Sequence, residues 1–322
     1  MSVVHVVVPD GIDDPLHPSG GNAYDRRICR ELAALGWTVR EHRVAASGLA
    51  RALASVPDHG VVLVDGLVAD EAVLPETSRL RIVVLLHMPV GDHRELAILS
   101  AAAAVVTTSD WARDRVPGGR ATVAAPGSDL APLATGSSFG VELLCVGAVV
   151  RAKGQDVLLD ALGMITHLDW RCTFVGALDL DPGYVEELRG QLTERVSFTG
   201  ALTGSPLKAA FATADLVVSP SRRESYGMSV IEALARGVPV VTTDVGGLPE
   251  AVGSAPDGSR PGLLFPADDA QALAAHLEHW LIDPRLRQEL RRSAAGRRER
   301  LTSWVETARQ VAGVLSDAHL GR

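Results

Sequence analysis

The sequence predicts an α/β protein built from two doubly wound, Rossmann-like domains that face each other across a cleft. Three observations point there. Short Val- and Leu-rich runs alternate with segments of helical periodicity along most of the chain, as in a parallel sheet covered on both faces. That alternation breaks once, over residues 131–142 ("APLATGSSFGVE"), where small and polar residues collect without periodicity, the mark of a linker. The chain has 322 residues, the usual length of about two domains.

Taken in order, "VVHVVVPD" is a compact apolar run of strand length. In "GGNAYDRRICRELAALGW", Ile28, Leu32 and Leu35 recur at helical spacing and Gly36 supplies a stop. The strands "WTVREHRV", "GVVLVDGL", "RIVVLLHM" and "AVVTTSD" follow, separated by helical segments near residues 48–56, 71–78, 95–103 and 111–116. After the linker a second series begins with "VELLCVGAV", "DWRCTFVGA", "RVSFTG", "DLVVSPS", "VPVVTTD" and "GLLFPA". Its helices fall near residues 155–162, 184–193, 206–213, 228–236 and 248–253, and from residue 268 the chain is almost all helical. Domains at 1–135 and 136–300 follow from this pattern. Open parallel sheets bind ligands at the carboxyl ends of their strands, so the cleft is the expected site.

Bulk composition excludes several classes. Hydrophobic residues make up 47% and charged residues 22%, which argues against disorder. A net charge of −8 gives no footprint for nucleic acid. The amino terminus enters a strand without a signal-peptide pattern, and no apolar run nears ~20 residues, so a cytoplasmic protein is expected. Cys29, Cys145 and Cys172 lie in apolar segments without metal-ligand spacing and read as buried structural thiols. The basic run at residues 287–301 reads as a solvated helix face with Glu partners; contact with an anionic membrane surface or an acidic partner is the other reading.

Candidate chemistry clusters at predicted strand ends. In "SRRESYGMSVIEALARGVPVV", Glu224 falls in the loop after a strand and Glu232 in the second turn of the next helix. Backbone N–H groups around residues 226–229 suit phosphate oxygens, and Gly227 allows close approach. A glutamate along the helix can hold ribose hydroxyls, and one in the loop can reach a sugar. Lys153 is one of only two lysines among 31 basic residues, and with Arg151 it follows another strand, placed to neutralise a diphosphate. Gly246 and Gly247 repeat the strand-glycine-helix pattern one strand later, and Gly20 and Gly21 do so in the first half as a loop facing the cleft. His87 ends the strand "RIVVLLHM". The D-x-D of "LDLDPG" reads as a surface loop closing in an Asp-Pro-Gly turn rather than as a metal site.

Together these stretches resemble the retaining glycosyltransferases of family four, which have the GT-B fold. The resemblance is carried by "PSRRESYGMSVIEALARGVPVVTTDVGGLPEAV", similar to that family's E-x7-E block. It is carried also by "VGAVVRAKGQDVLLDAL", "SGGNAYDRRICRELAALGW", "LLHMP", "VVTTSDWARDRV" and "LTSWVETARQVAGVL". It implies that Glu232 binds the ribose, Glu224 the transferred sugar and Lys153 the diphosphate. It implies that Ser225, Tyr226, Gly227 and Met228 contact sugar and phosphate, and that His87 lies near the reacting carbon. Residues 301–322 would pack back on the acceptor-binding first domain. Where the family often carries arginine this chain has Ala148, and Arg151 is the candidate substitute. The first half is short for the family, which implies an open acceptor site.

The implied activity is hexosyl transfer from a nucleoside diphosphate sugar with the anomeric configuration retained. It needs no metal or cofactor, because Lys153, Arg151 and helix amino termini can stabilise the departing diphosphate. His87, Glu224 and Lys153 are the candidate catalytic residues. A nucleotide-sugar 2-epimerase of the same architecture and a non-catalytic sugar-binding protein remain as alternatives. The base, the sugar and the acceptor are not specified.

Overall fold

The structure is a computed structural model that describes residues 2–45, 47–191 and 193–321. It divides into two compact units. One comprises Met1–Asp13, Gly20–Gly127 and Thr302–Arg322; the other comprises Asp14–Ser19 and Ser128–Leu301.

The first unit alternates β1 (Val3–Pro9), α1 (Gly20–Ala34), β2 (Thr38–Val44), α2 (Leu49–Ala54), β3 (Val61–Asp65), α3 (Val73–Glu76), β4 (Arg81–Leu86), α4 (His93–Ala101), β5 (Ala104–Thr107), α5 (Asp110–Arg113) and β6 (Ala121–Val123). Its strands run parallel in the order β2-β1-β3-β4-β5-β6. Every residue of β3 and five of six in β4 are buried, which explains their unbroken apolar runs: helices cover both faces. Edge strand β2, "TVREHRV", is mostly exposed and carries the polar residues that an edge tolerates. The sixth strand, β6, went unforeseen because none of its three residues is fully buried and no apolar run marks it.

The second unit contains β7 (Glu142–Val146), α6 (Gln155–Met164), β8 (Arg171–Val175), α7 (Pro182–Arg189), β9 (Val196–Phe198), α8 (Gly204–Thr213), β10 (Leu216–Ser219), α9 (Met228–Leu234), β11 (Val240–Thr243), α10 (Leu248–Val252), β12 (Gly262–Phe265), α11 (Ala270–Ile282) and α12 (Pro284–Arg297). The parallel order is β12-β11-β10-β7-β8-β9. Strand order reverses between β7 and β10, so the loops after these two strands emerge side by side at the topological switch point. The core includes Leu143, Leu158, Phe174, Val218 and Trp280. Asp14–Ser19 joins this unit through His17, whose Nε2 lies 3.0 Å from the Asp179 carboxylate.

The last helix, α13 (Trp304–Leu320), belongs to the first unit. Its buried stripe of Trp304, Thr307, Ala308, Val311, Val314 and Leu315 has helical period. Trp304 meets Tyr24 of α1 edge-to-face at 5.6 Å, and Thr307 Oγ1 donates to the Ala125 carbonyl at 2.8 Å.

Three local expectations are corrected. Asp181-Pro182-Gly183 opens α7 rather than closing a turn: Asp181 accepts the Tyr184 N–H at 3.2 Å as N-cap, and Pro182 takes the first helical position. The basic run is not a solvated face paired with glutamates. Arg291 pairs with fully buried Asp215 at 2.6 Å, Arg297 donates to the Val252 carbonyl at 3.0 Å, and Arg298 donates to the carbonyls of Ala235 and Ala131 at 2.8 and 2.6 Å. Cys145 and Cys172 are buried, but Cys29 is only partly so. Among the described residues no helix is long and apolar enough to cross a membrane.

Candidate functional site

In the second unit, the short helical turn Arg151–Lys153 follows β7, and Glu224 lies in the loop after β10. Because β7 and β10 are hydrogen-bonded neighbours, residues 71 apart in sequence meet: Lys153 Nζ donates to Glu224 Oε2 at 2.5 Å. The lysine side chain is 32% exposed and the glutamate 14%, so the pair is shielded yet open on one side.

Arg222 latches the two loops together. Its backbone N–H donates to the Ala152 carbonyl at 2.9 Å. Its guanidinium donates to the Arg151 carbonyl at 2.7 Å, to both Asp156 oxygens at 2.8 Å, and to Asp268 at 2.6 Å. The Tyr184 hydroxyl donates to Asp156 at 2.7 Å. Burial alone would raise the Asp156 pKa; the hydrogen bonds from Arg222 and Tyr184 outweigh it and hold the carboxylate below its ordinary value. Sequence reasoning missed Arg222, since nothing local sets it apart from the many other arginines.

The glycine pair after β11 fixes the other side of Glu224. Gly247 N–H donates to the Glu224 carbonyl at 3.2 Å. At Gly246, φ is +60° and a Cβ would stand 1.6 Å from that same oxygen, so only glycine fits. Gly227 caps α9, Tyr226 is buried with its phenol pKa pushed up to about 12 by burial, and Ser225 and Met228 are half-buried. Glu232 lies within α9, its carboxylate 3.9 Å from Arg236 Nη1, which also donates to the Glu232 carbonyl at 2.7 Å.

Arg151 is placed elsewhere than beside Lys153. Its guanidinium reaches α7, donating to both Glu187 oxygens at 2.6 Å and lying 5.1 Å from the Tyr184 ring. The Ala148 carbonyl accepts from Gln155 Nε2 at 2.9 Å. The D-x-D carboxylates are engaged, Asp179 with His17 and Asp181 with the α7 terminus.

In the first unit, His87 follows β4 at the carboxyl edge of the sheet. Gly20 and Gly21 open α1 rather than forming a loop before it. A Cβ on Gly21 would stand 3.3 Å from His87 Cδ2, so the ring seats against the helix start. His87 Nε2 lies 2.9 Å from Asp25 Oδ1, and Tyr24 packs edge-on at 5.2 Å. Asp65, at the end of β3, accepts the Leu67 N–H at 2.8 Å. Ligand atoms of Asp25, Asp65 and His87 lie within 4.8 Å of one another. Among the described residues this is the group compact enough to hold a cation.

Two buried carboxyls this close require positive charge between them. Burial first, and then Asp25, push the Asp65 pKa up to about 7, which favours its protonated form. Burial would lower the His87 pKa, but Asp25 outweighs it and raises it. Sequence reasoning found His87 without its acids. The available signal was an aspartate on the buried stripe of α1, between Tyr24 and Ile28.

Residues 140–283 match the family model described as glycosyl transferases group 1. A D-inositol 3-phosphate glycosyltransferase of Pseudarthrobacter chlorophenolicus is 31% identical over 275 residues, covering 78% of this chain and 61% of the relative. The chain spans less than two thirds of the length of that relative and of others like it. Sucrose-phosphate synthase of Thermosynechococcus elongatus has a similar structure, with TM-score 0.79, 21% identity and coverage of 98% of this chain and 99% of that one. Anabaena HepE in complex with UDP-glucose gives 0.78 at 19% identity, covering 98% and 100%. The fold is that of the GT-B glycosyltransferases.

Proposed function

We propose that the chain is a retaining glycosyltransferase of family four that moves a hexosyl group from a nucleoside diphosphate sugar to an acceptor, without a metal ion. The observation that carries the reading is the pair of Lys153 and Glu224 at the switch point of the second unit, 2.5 Å apart, with Glu232 in the helix that follows. A cation for a diphosphate and a carboxylate for sugar hydroxyls thus come together where doubly wound sheets bind ligands. The family match over residues 140–283 supports the same unit as the donor domain.

In this reading Glu232 holds the ribose, Glu224 the transferred sugar and Lys153 the diphosphate, stabilising the leaving group as charge develops. Arg222 acts through Lys153 and Glu224 as a positioning residue. Arg151, engaged with Glu187, joins the diphosphate only by leaving that exposed pair, whose partners are 58% and 57% exposed; such pairs are weak. The acceptor hydroxyl attacks the anomeric carbon from the face the diphosphate leaves, and a leaving-group oxygen takes its proton. The first unit takes the acceptor, with His87 assigned to the reacting sugar.

The test begins with thermal shifts against UDP-, GDP-, ADP- and dTDP-sugars, since a bound donor stabilises the folded state by mass action. With the donor known, Glu232→Ala should weaken its binding sharply by calorimetry; unchanged affinity removes the ribose assignment. Product NMR reports whether configuration is retained. Turnover unaffected by EDTA supports the metal-free step, and its loss, with recovery on adding a divalent ion, overturns it.

A further inference from the structure

The first unit holds a cavity of about 540 Å³ at the carboxyl edge of β3 and β4, within the range of small-molecule sites. Its floor is apolar: Val84 and Leu86 of β4 with Ile98 and Leu99 of α4, all buried. Val90, 67% exposed, stands at its lip. Two lining residues, Gly66 and Leu86, are the chain neighbours of Asp65 and His87, but side chains alternate along a strand, so the cavity lies on the α4 face of the sheet while the buried cluster faces α1.

The rim has the opposite character. Asp70, Glu71, Asp92 and Glu95 line it against one base, Arg94. Arg94 is already placed 3.4 Å from Glu71. Asp92 accepts the Glu95 N–H as N-cap of α4, and that bond holds its pKa below the ordinary range, so it stays anionic. Glu95 in turn accepts the N–H groups of Val90 and Gly91 at about 3 Å, pinning the lip. A mouth of four carboxylates and one guanidinium surrounds an oily floor.

The geometry points to this cavity as the acceptor site, and to an acceptor that is a hydroxylated molecule with an apolar body and a cationic or uncharged outer end, not a phosphorylated or carboxylated one. The inference rests on the transferase reading. An apolar body gains by leaving water for the floor formed by β4 and α4. A phosphate at the mouth meets a net negative rim, and like charges there disfavour binding.

Three probes of one skeleton test it: 5-hydroxytryptamine, 5-hydroxytryptophol and 5-hydroxyindoleacetate, which carry a cation, no charge and an anion. The expected result is saturable binding by the amine and the alcohol, with the amine about five-fold tighter than the acid at low salt. The exposed double variant D70K/E71K should flatten or reverse that order. Ala69→Trp, which fills the cavity, should abolish binding of all three while circular dichroism stays unchanged. Equal or tighter binding of the acid, no binding by any probe, or indifference to Ala69→Trp overturns the proposal. Nucleotide-sugar binding, measured separately on the same protein, distinguishes the two failures: its absence overturns the transferase reading, and its presence with the wrong probe order overturns only the acceptor class.

Discussion

Replacing Glu224 with Gln should make a bare nucleoside diphosphate bind more tightly, even though it removes a residue assigned to the donor site. In the structure Lys153 is already satisfied by the Glu224 carboxylate at 2.5 Å. A diphosphate must compete for that ammonium while approaching a fixed negative charge. A hydrogen bond to a charged group contributes roughly 1.5–3 kcal/mol, and the 32% exposure of Lys153 lets water recover part of it, leaving about 1–2 kcal/mol. In the variant the lysine is held only by an amide, so affinity for the nucleoside diphosphate should rise about tenfold. The nucleotide sugar gains the same release but loses the carboxylate for its hydroxyls. Its advantage over the bare diphosphate should therefore shrink. Calorimetry with the matching nucleotide and nucleotide sugar, on wild type and variant, reads both quantities. Unchanged or weaker nucleoside diphosphate binding in Glu224→Gln would refute the competition argument.

Arg222→Ala removes the bidentate contact with Asp156 and the bond to the Arg151 carbonyl; the unit should lose about 2 kcal/mol, read by denaturant midpoint, and donor affinity should fall through the displaced Lys153 and Glu224 loops. Arg222→Lys should restore only part of both, because an ammonium cannot fork onto a carboxylate. Gly246→Ala, with a Cβ 1.6 Å from the Glu224 carbonyl, should displace that loop, weakening nucleotide-sugar binding more than nucleotide binding in the same calorimetric pair. Asp65 has its folded pKa raised to about 7, so the unfolded chain gives up a proton that the folded protein keeps, and stability falls as pH rises from about 4 to 7. Asp65→Asn abolishes that loss, up to ~4 kcal/mol, so it should raise the denaturant midpoint at pH 8 and leave it nearly unchanged near pH 4; the opposite order would show the carboxyl to be ionised in the fold. His87, also raised, acts in the same sense: its contribution is complete below its ordinary pKa and is lost as pH rises through the folded value.

The sheet was legible because burial on both faces forces unbroken apolar runs, as in "VVLVD" of β3 and "RIVVLL" of β4. Strand β6 was not, because an edge of two half-buried residues around an exposed one leaves no such trace. The start of α7 was misread because Asp-Pro-Gly serves a turn and a helix N-terminus equally well, and the following Tyr184 N–H decides between them. At the candidate site, Lys153 stood out through rarity and Glu224 through its place at a strand end. Arg222 did not, and Arg151 was read as a diphosphate ligand rather than as the partner of Glu187: their partners, Asp268 and Glu187, lie 46 and 36 residues away, and no local pattern encodes such pairings. The basic run misled for a related reason. Charge is read from sequence as solvated, yet Arg291, Arg297 and Arg298 are turned inward onto a buried carboxylate and helix-end carbonyls.

The two candidate centres hold their cations differently, and that difference separates their roles. In the second unit, Lys153 and Glu224 retain enough exposure for an incoming anion to take the lysine and for water to meet the carboxylate. In the first unit, Asp25 and Asp65 are only 2% and 3% exposed, and taking His87 from them would strand a buried charge at a cost of several kcal/mol. The imidazole is therefore locked: Nε2 faces Asp25 Oδ1 at 2.9 Å, with Gly21 and Tyr24 fixing the ring plane. Any part that its ring plays with a substrate falls to Nδ1, the nitrogen that Asp25 does not engage. In the proposed reading Lys153 exchanges partners during a reaction cycle, whereas His87 keeps its partner.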